Sequence, residues 1–242
     1  MENMITSQIK KIEVCDADYM GEYKLYHLFN HFTNIATENA MKINMWNKDM
    51  FHQYGWVIAK QTLTLHQPIK IDDVLELSTV IAKGSFVAFP RYYFIKKDGK
   101  EIGRCSSIWT LIDIKNRRIV SPKKIGINIP EVQHSFHLDT PKAISLDLPL
   151  HCVMKRQVLY NDIDTNQHMN NARYIEWALD TIDYQVYKKY FIKELSIHYK
   201  KEIRPLEFVK LYLGQDENRY IIEGQNENQE NCFIIEIYFD KR

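Results

Sequence analysis

Ten residues, Asp162-Ile163-Asp164-Thr165-Asn166-Gln167-His168-Met169-Asn170-Asn171, bring together carboxylates, an imidazole and several side-chain amides. They run into Ala172-Arg173-Tyr174-Ile175-Glu176-Trp177-Ala178-Leu179-Asp180, whose apolar spacing predicts an amphipathic helix. Asn166 and His168 are two apart just before that helix, so one turn can aim both side chains into one cleft. The helix N-terminus adds unpaired N–H groups and a partial positive charge. Such a set suits an oxygen that becomes negative when a carbonyl is attacked. The same residue types also build turns and N-caps. That architectural role is the preferred reading for Asn170 and Asn171. For Asp164-x-Asn166-x-His168, residue type alone leaves both readings open.

The elements around this stretch repeat. A short strand, Ile9 to Cys15, precedes the turn Asp16-Ala17-Asp18-Tyr19-Met20-Gly21-Glu22. Leu25, Leu28, Phe29, Phe32, Ala36, Ala40 and Ile43 then fall at helical spacing, with polar Asn30, Asn34, Thr37 and Glu38 between them. Four strands follow, about 57–65, 74–80, 86–96 and 102–114, with a hairpin signal at Asp98-Gly99. Residues 121–150 carry Pro122, Pro130, Pro141 and Pro149 and little periodicity, and read as a connector. The layout then recurs. A strand from Met154 to Tyr160 leads to the opening turn. One helix carries Ile175, Ala178, Leu179, Ile182 and Val186 on one side. Strands follow at about 194–201, 208–214, 220–225 and 232–239.

Setting Ser196 under Thr62 without gaps aligns Ile197 with Leu63, Tyr199 with Leu65, Ile203 with Ile69, Phe208 with Val74 and Leu211 with Leu77. Shared pattern with little identity points to a diverged duplication. The expected fold is α+β: a double hotdog, two tandem units each with a helix wrapped by an antiparallel sheet, joined edge to edge. The expected units are 1–120 and 151–242, with 121–150 between them. Folds of this kind bind acyl thioesters, an analogy that by itself does not assign a function. The first-half turn keeps acids but lacks the Asn-x-His pair. The asymmetry predicts one site per chain, in the second unit, with the first unit holding substrate.

Composition narrows the alternatives. Of 242 residues, 45% are apolar, enough for a real core, and the net charge of +1 provides no global field for nucleic acid or a membrane surface. Cys15, Cys105, Cys152 and Cys232 are far apart and form no C-x-x-C pair, as expected of free thiols in a reducing cytosol. The first residues do not read as a signal peptide, and no apolar run is long enough to span a membrane. The nine histidines are scattered, without H-E-x-x-H. No metal or cofactor is expected, and the expected location is the cytoplasm.

The stretch Asp162 to Trp177 resembles the signature of the acyl-ACP thioesterases of plants and bacteria. The resemblance extends to Trp56-Val57-Ile58, Arg91, Ser107-Ile108-Trp109 and Tyr199-Lys200-Lys201-Glu202. It implies a double-hotdog enzyme that hydrolyses fatty acyl-ACP to free fatty acid, with Asp164, Asn166, His168 and Glu202 at the family's catalytic positions. Ile203 stands where plant members usually carry a cysteine once proposed as the nucleophile. Isoleucine cannot attack, and there is no G-x-S-x-G elbow. Water is therefore the expected nucleophile, with Glu202 its general base.

Acyl carrier protein is the expected partner, with a homodimer also considered and no nucleic-acid or membrane partner. Lys155-Arg156, Arg173, Lys188-Lys189, Lys193 and Lys200-Lys201 are candidates for a basic dock. The stripe of the first helix, with Met41, Met45 and Trp46, could line an acyl tunnel. The rival readings are an acyl-CoA thioesterase, a dehydratase acting on 3-hydroxyacyl thioesters, and a non-catalytic binder of acyl groups or carriers.

Overall fold

The computed structural model describes residues 4–46, 50, 53–129 and 139–242. Two runs of elements follow one another. The first is β1 (Thr6–Lys11), α1 (Leu25–Lys42), β2 (Tyr54–Leu65), β3 (Val74–Ile81), β4 (Phe89–Lys97), β5 (Lys100–Asp113) and the two-residue β6 (Arg118–Ile119). The second is β7 (His151–Gln157), α2 (Asn171–Leu179), α3 (Tyr184–Lys189), β8 (Tyr190–Tyr199), β9 (Phe208–Asp216), β10 (Arg219–Asn226) and β11 (Asn231–Lys241). All strands join one sheet, ordered β1-β3-β4-β5-β2-β8-β11-β10-β9-β7, with β6 paired to β5. The order reads the same from either edge: β1, β3, β4, β5, β2 on one side correspond to β7, β9, β10, β11, β8 on the other.

The halves meet where β2 and β8 pair antiparallel, with Thr62 opposite Ser196 and Leu63 opposite Leu195. Thr62 and Ser196 are also partners in the ungapped repeat alignment, so a local two-fold axis passes between them. Their hydroxyls are 2.9 Å apart. Residues 139–150 contribute Lys142 to this seam: its N–H donates to Thr62 Oγ1 at 3.0 Å, and its carbonyl accepts from His198 Nε2 at 2.8 Å. Pro130 and its neighbours to residue 138 lie outside the described residues.

Side-chain alternation explains what the sheet covers. Leu63, Leu195, Ile197, Leu211 and Ile235 are fully buried and share a core with Leu28, Phe32 and Ile35 of α1 and Ile175, Trp177 and Ala178 of α2. The two helices pack on each other over this face. Burying side chains of this size contributes roughly 1.5–3 kcal/mol each.

Three sequence expectations need correction. The strands expected at Ile9–Cys15 and Met154–Tyr160 end early, at Lys11 and Gln157, and single 3-10 turns follow at Val14–Asp16 and Tyr160–Asp162. Asp16 and Asp162 cause this, because their carboxylates accept the N–H of Glu13 (3.2 Å) and Leu159 (2.9 Å) and curl the chain. The single helix expected through Val186 is two. Thr181 donates its hydroxyl to Ala178 O at 2.6 Å, and Asp183 caps α3 by accepting from Gln185 N at 2.9 Å. Apolar periodicity continues across this break, so it gave no warning of it. The two-residue β6 (Arg118–Ile119), which pairs back onto β5, is not among the expected strands.

Candidate active site

The turn before α2 is built by its own side chains. Asp164 Oδ1 accepts the backbone N–H of Asn166 at 2.8 Å, and Asp164 Oδ2 lies 3.4 Å from the Asn166 amide nitrogen. Gln167 takes a left-handed φ of 63° and sends the chain back toward the helix. Asn170 caps α2, its Oδ1 accepting from Ala172 N at 2.8 Å. That side chain is occupied with architecture, as the sequence reading preferred.

The first-half turn has the same skeleton. Asp18 Oδ1 accepts from Met20 N at 2.8 Å and from Glu22 N at 3.0 Å, and Gly21 has φ 73°. The bridge Ala17–Tyr23 matches Ile163–Met169. On this register Asp18 corresponds to Asp164, while Met20 and Glu22 stand where the second half has Asn166 and His168.

Glu202 reaches the turn because its loop is tied to it. Met169 N–H donates to Ile203 O at 3.0 Å, and Ile203 N–H donates to the Tyr174 hydroxyl at 3.2 Å. These bonds bring Glu202 Oε2 to 3.3 Å from His168 Nε2. Ile203 itself is fully buried, so the position next to Glu202 is part of the core. Tyr199, at the end of β8, donates its hydroxyl to Asn171 O at 3.1 Å, and burial pushes its phenol far above the usual range. Of the thiols, Cys105 and Cys232 are buried and shifted upward by burial, Cys232 to about 11, while Cys15 and Cys152 are exposed.

A cavity of about 1120 Å³ adjoins the turn, at or above the usual upper size for a small-molecule pocket. Val158, Leu159, Tyr160, Asn161, Ile163, Asp164, Thr165, Asn166, Pro205 and Leu206 form one wall. Asn30, Thr33, Asn34, Ala36, Thr37 and Ala40 of α1 form another, and Met45, Trp46, Tyr54, Trp56, Ile81, Trp109 and Ile114 add apolar surface. So the first half supplies most of the chamber, and the second half supplies the turn beside it. Leu28 and Phe32, expected on a tunnel stripe, are core residues, and Met41 is exposed instead of lining the space. Of the stripe, Ala36 and Ala40 line the cavity, as do Met45 and Trp46 beyond it, and the polar Asn30, Asn34 and Thr37 between stripe positions face it too.

Three residues far apart in the sequence, Trp56, Arg91 and Trp109, line this chamber, with Ser107 bonded behind Trp109. Trp109 Nε1 donates to Ser107 Oγ at 2.9 Å, and Ser107 Oγ donates to Arg91 O at 3.1 Å. The Trp56 ring stands edge-on to Phe89. Arg91 is 4% exposed, its guanidinium held by Asn39 Oδ1 at 2.8 Å and Thr79 Oγ1 at 3.3 Å, and burial lowers its pKa.

Asp164 and Asn166 thus line the cavity. His168 and Glu202 form a pair, next to the turn, that is not among the residues lining the cavity. Sequence reasoning missed a third member of that pair. Arg117, from the turn between β5 and β6, makes an ion pair with Glu202 and places Nη2 2.9 Å from His168 Nε2. Nothing in a hairpin Asn-Arg-Arg announces a contact 51 residues away. The expected basic dock is largely engaged in local contacts. Arg156 pairs with Asp180 and lies over Trp177, Arg173 pairs with Glu176 and lies over Tyr26, Lys193 pairs with Asp240, and Lys201 pairs with Glu230.

Two helix-and-sheet units fused through β2 and β8, each with its helix on the same face of one sheet, define a double hotdog protein. The acyl-ACP thioesterase N-terminal domain profile matches residues 4–124, and the acyl-ACP thioesterase C-terminal domain profile matches residues 151–237. The chain belongs to the acyl-ACP thioesterase family. A chloroplastic palmitoyl-acyl carrier protein thioesterase of Cuphea hookeriana is 26% identical over 170 residues, covering 65% of this chain and 39% of the relative. A chloroplastic oleoyl-acyl carrier protein thioesterase of Arabidopsis thaliana is 24% identical over 162 residues, covering 61% and 44%. The chain spans less than half the length of the curated relatives it matches. Among solved structures, an acyl-ACP thioesterase from Bacteroides thetaiotaomicron superposes with a TM-score of 0.81 at 23% identity, covering 99% of both chains. A 12:0-ACP thioesterase from Umbellularia californica gives 0.82 at 14% identity, covering 99% of this chain and 98% of that one.

Proposed function

We propose that the protein hydrolyses the thioester of a fatty acyl group carried on acyl carrier protein, releasing free fatty acid and the carrier's thiol. The observation that carries this reading is the placement of the turn: Asp164 and Asn166 on the wall of a large, mainly apolar cavity, with the His168–Glu202 pair beside them. An acyl tail fills the cavity, its thioester stays at the turn, and the carrier's arm leaves on the outer side.

In this mechanism Asn166 donates an amide N–H to the thioester oxygen or positions the water, and Asp164 holds that amide. Glu202 takes the proton from water as its oxygen bonds to the carbonyl carbon. The carbon–sulfur bond then breaks. His168 hydrogen-bonds the water or the carbonyl and passes a proton to the leaving thiolate as it takes from Glu202 the proton removed from water, so both side chains return to their starting states. The buried Ile203 and the buried, upshifted Cys105 and Cys232 support water over a thiol as nucleophile. The proposal divides the chain into a substrate-holding unit, 1–120, a connector, 121–150, and a catalytic unit, 151–242. It includes a cytoplasmic location, a homodimer as the assembly to look for, and no nucleic-acid or membrane partner.

The test is thiol release from acyl-ACP and acyl-CoA of one chain length, measured side by side with wild type and Glu202→Gln. Hydrolysis of acyl-ACP should fall about 10²–10⁴-fold in the variant. A higher kcat/KM on acyl-CoA would make the protein an acyl-CoA thioesterase. No thiol release from either substrate would leave an acyl-binding protein.

A further inference from the structure

We propose that Arg117, contributed by the first half of the chain, is a positioning residue of the site in the second half: it fixes the tautomer of His168 and the orientation of Glu202. The inference rests on the thioesterase reading for its consequence in turnover, but its structural content stands apart from that reading.

The turn that carries Arg117 is closed by its own bonds. Asp113 Oδ1 accepts from Asn116 N at 2.8 Å, and Oδ2 accepts from the Asn116 amide at 2.9 Å, which closes the turn after β5. Ile112 pairs with Ile119, and Val120 N–H donates to Leu111 O at 2.8 Å. Arg117 sits in this turn at φ 52°, a left-handed conformation uncommon outside glycine. From there one guanidinium nitrogen pairs with Glu202, and the other lies 2.9 Å from His168 Nε2.

The chemistry of the groups fixes the proton. A guanidinium has only donors, so an imidazole nitrogen at hydrogen-bond distance from it must present a lone pair. His168 is then neutral, with its hydrogen on Nδ1. Glu202 Oε2 is 3.3 Å from the same Nε2 and would otherwise draw the proton to that atom. Arg117 resolves the conflict by donating to both acceptors. The Nδ1–H is left as the ring's donor, pointing away from Glu202.

A second arginine repeats the arrangement. Arg242, just past β11, crosses to the first-half turn and pairs with Glu22, the residue at the His168 position. Its Nε also donates to Tyr187 O at 2.9 Å. Each half thus ends its last long strand with an arginine that reaches the other half's turn. In one case it meets an imidazole and a carboxylate beside the large cavity, and in the other only a carboxylate. Arg242 is therefore the internal control for a purely structural cross-link.

The test uses the full chain with Arg117→Ala, Arg117→Lys and Arg242→Ala. Nitrogen-15 ring spectra of His168 at pH 8 should show Nδ1–H in wild type and Arg242→Ala, and movement toward Nε2–H in Arg117→Ala. Turnover of acyl-ACP by Arg117→Ala should fall about 10²-fold with KM nearly unchanged, as misplaced reacting groups do. Arg117→Lys should recover part of the rate, and Arg242→Ala should lower Tm without lowering kcat. Wild-type His168 protonated at Nε2 would overturn the proposal. So would an unchanged kcat in Arg117→Ala, or losses in both alanine variants that simply follow Tm. If wild type releases no thiol, the thioesterase reading fails, while the ring spectra still decide the role of Arg117.

Discussion

Asn166→Ala is predicted to remove a donor from the cavity wall and leave the turn folded. The turn's main bond runs from the Asn166 backbone N–H to Asp164 Oδ1 at 2.8 Å and survives the truncation. The side chain is exposed, and its contact with Asp164 Oδ2 is a long 3.4 Å. Its loss should therefore change stability by no more than about 0.5 kcal/mol, the usual range for surface positions. For a chain of this length that is a Tm shift of about 2 °C or less. If Asn166 binds the developing oxyanion, the same change should lower kcat about 10²–10³-fold, or roughly 2.7–4 kcal/mol. The assay is thiol release at saturating acyl-ACP, with Tm measured on the same preparation. kcat and kcat/KM should fall together, because the bond is formed in the transition state. A kcat within about threefold of wild type, under roughly 0.7 kcal/mol, would refute the role. A large Tm loss with activity tracking the folded fraction would equally refute the separation of site from fold.

Other outcomes follow from the same geometry. Ala40→Phe fills the cavity near Met45 and Trp46 and should lower kcat/KM for the longest acyl chains about 10–200-fold while sparing short ones; equal loss at all lengths would count against this wall limiting the tail. Iodoacetamide at pH 8 should label Cys15 and Cys152 and spare Cys105 and Cys232, with hydrolysis retained; inactivation in step with labelling of a buried thiol would contradict a water nucleophile. Burial holds His27, His31 and His198 below the ordinary imidazole value. Their unfolded forms therefore take up protons first, and stability present above about pH 6.5 should be lost as pH falls through the lower folded values. Thermal melts between pH 7.5 and 5.5 should show Tm dropping, with a shallower drop in His31→Asn/His198→Asn; a flat or rising Tm would reverse the sign.

The sequence by itself determined the repeat, the fold class and the turn. Period-two alternation on both sides of the β2–β8 seam and the spacing of Leu25, Leu28 and Phe32 are local consequences of which faces must be buried, so they can be read from the chain. The pairing of Thr62 with Ser196 was implicit in the ungapped alignment, because a two-fold axis between equivalent strands places equivalent residues opposite each other. Asp164 and Asn166 were legible because a turn before a helix concentrates polar groups, and Glu202 through family resemblance. Only the tertiary structure decided the rest. Which side of α1 lines the cavity depends on where β2, β5 and the second-half turn lie, and this put Asn30, Thr33, Asn34 and Thr37 on the cavity beside Ala36 and Ala40 and left Leu28 and Phe32 in the core. The end of α2 was set by Thr181 and Asp183 bonding to the backbone, which periodicity does not record. Arg117 reaches His168 and Glu202 only because the sheet joins the two halves edge to edge. A contact between residues far apart in the chain leaves no local pattern, since the forces that select it act across space and not along the sequence.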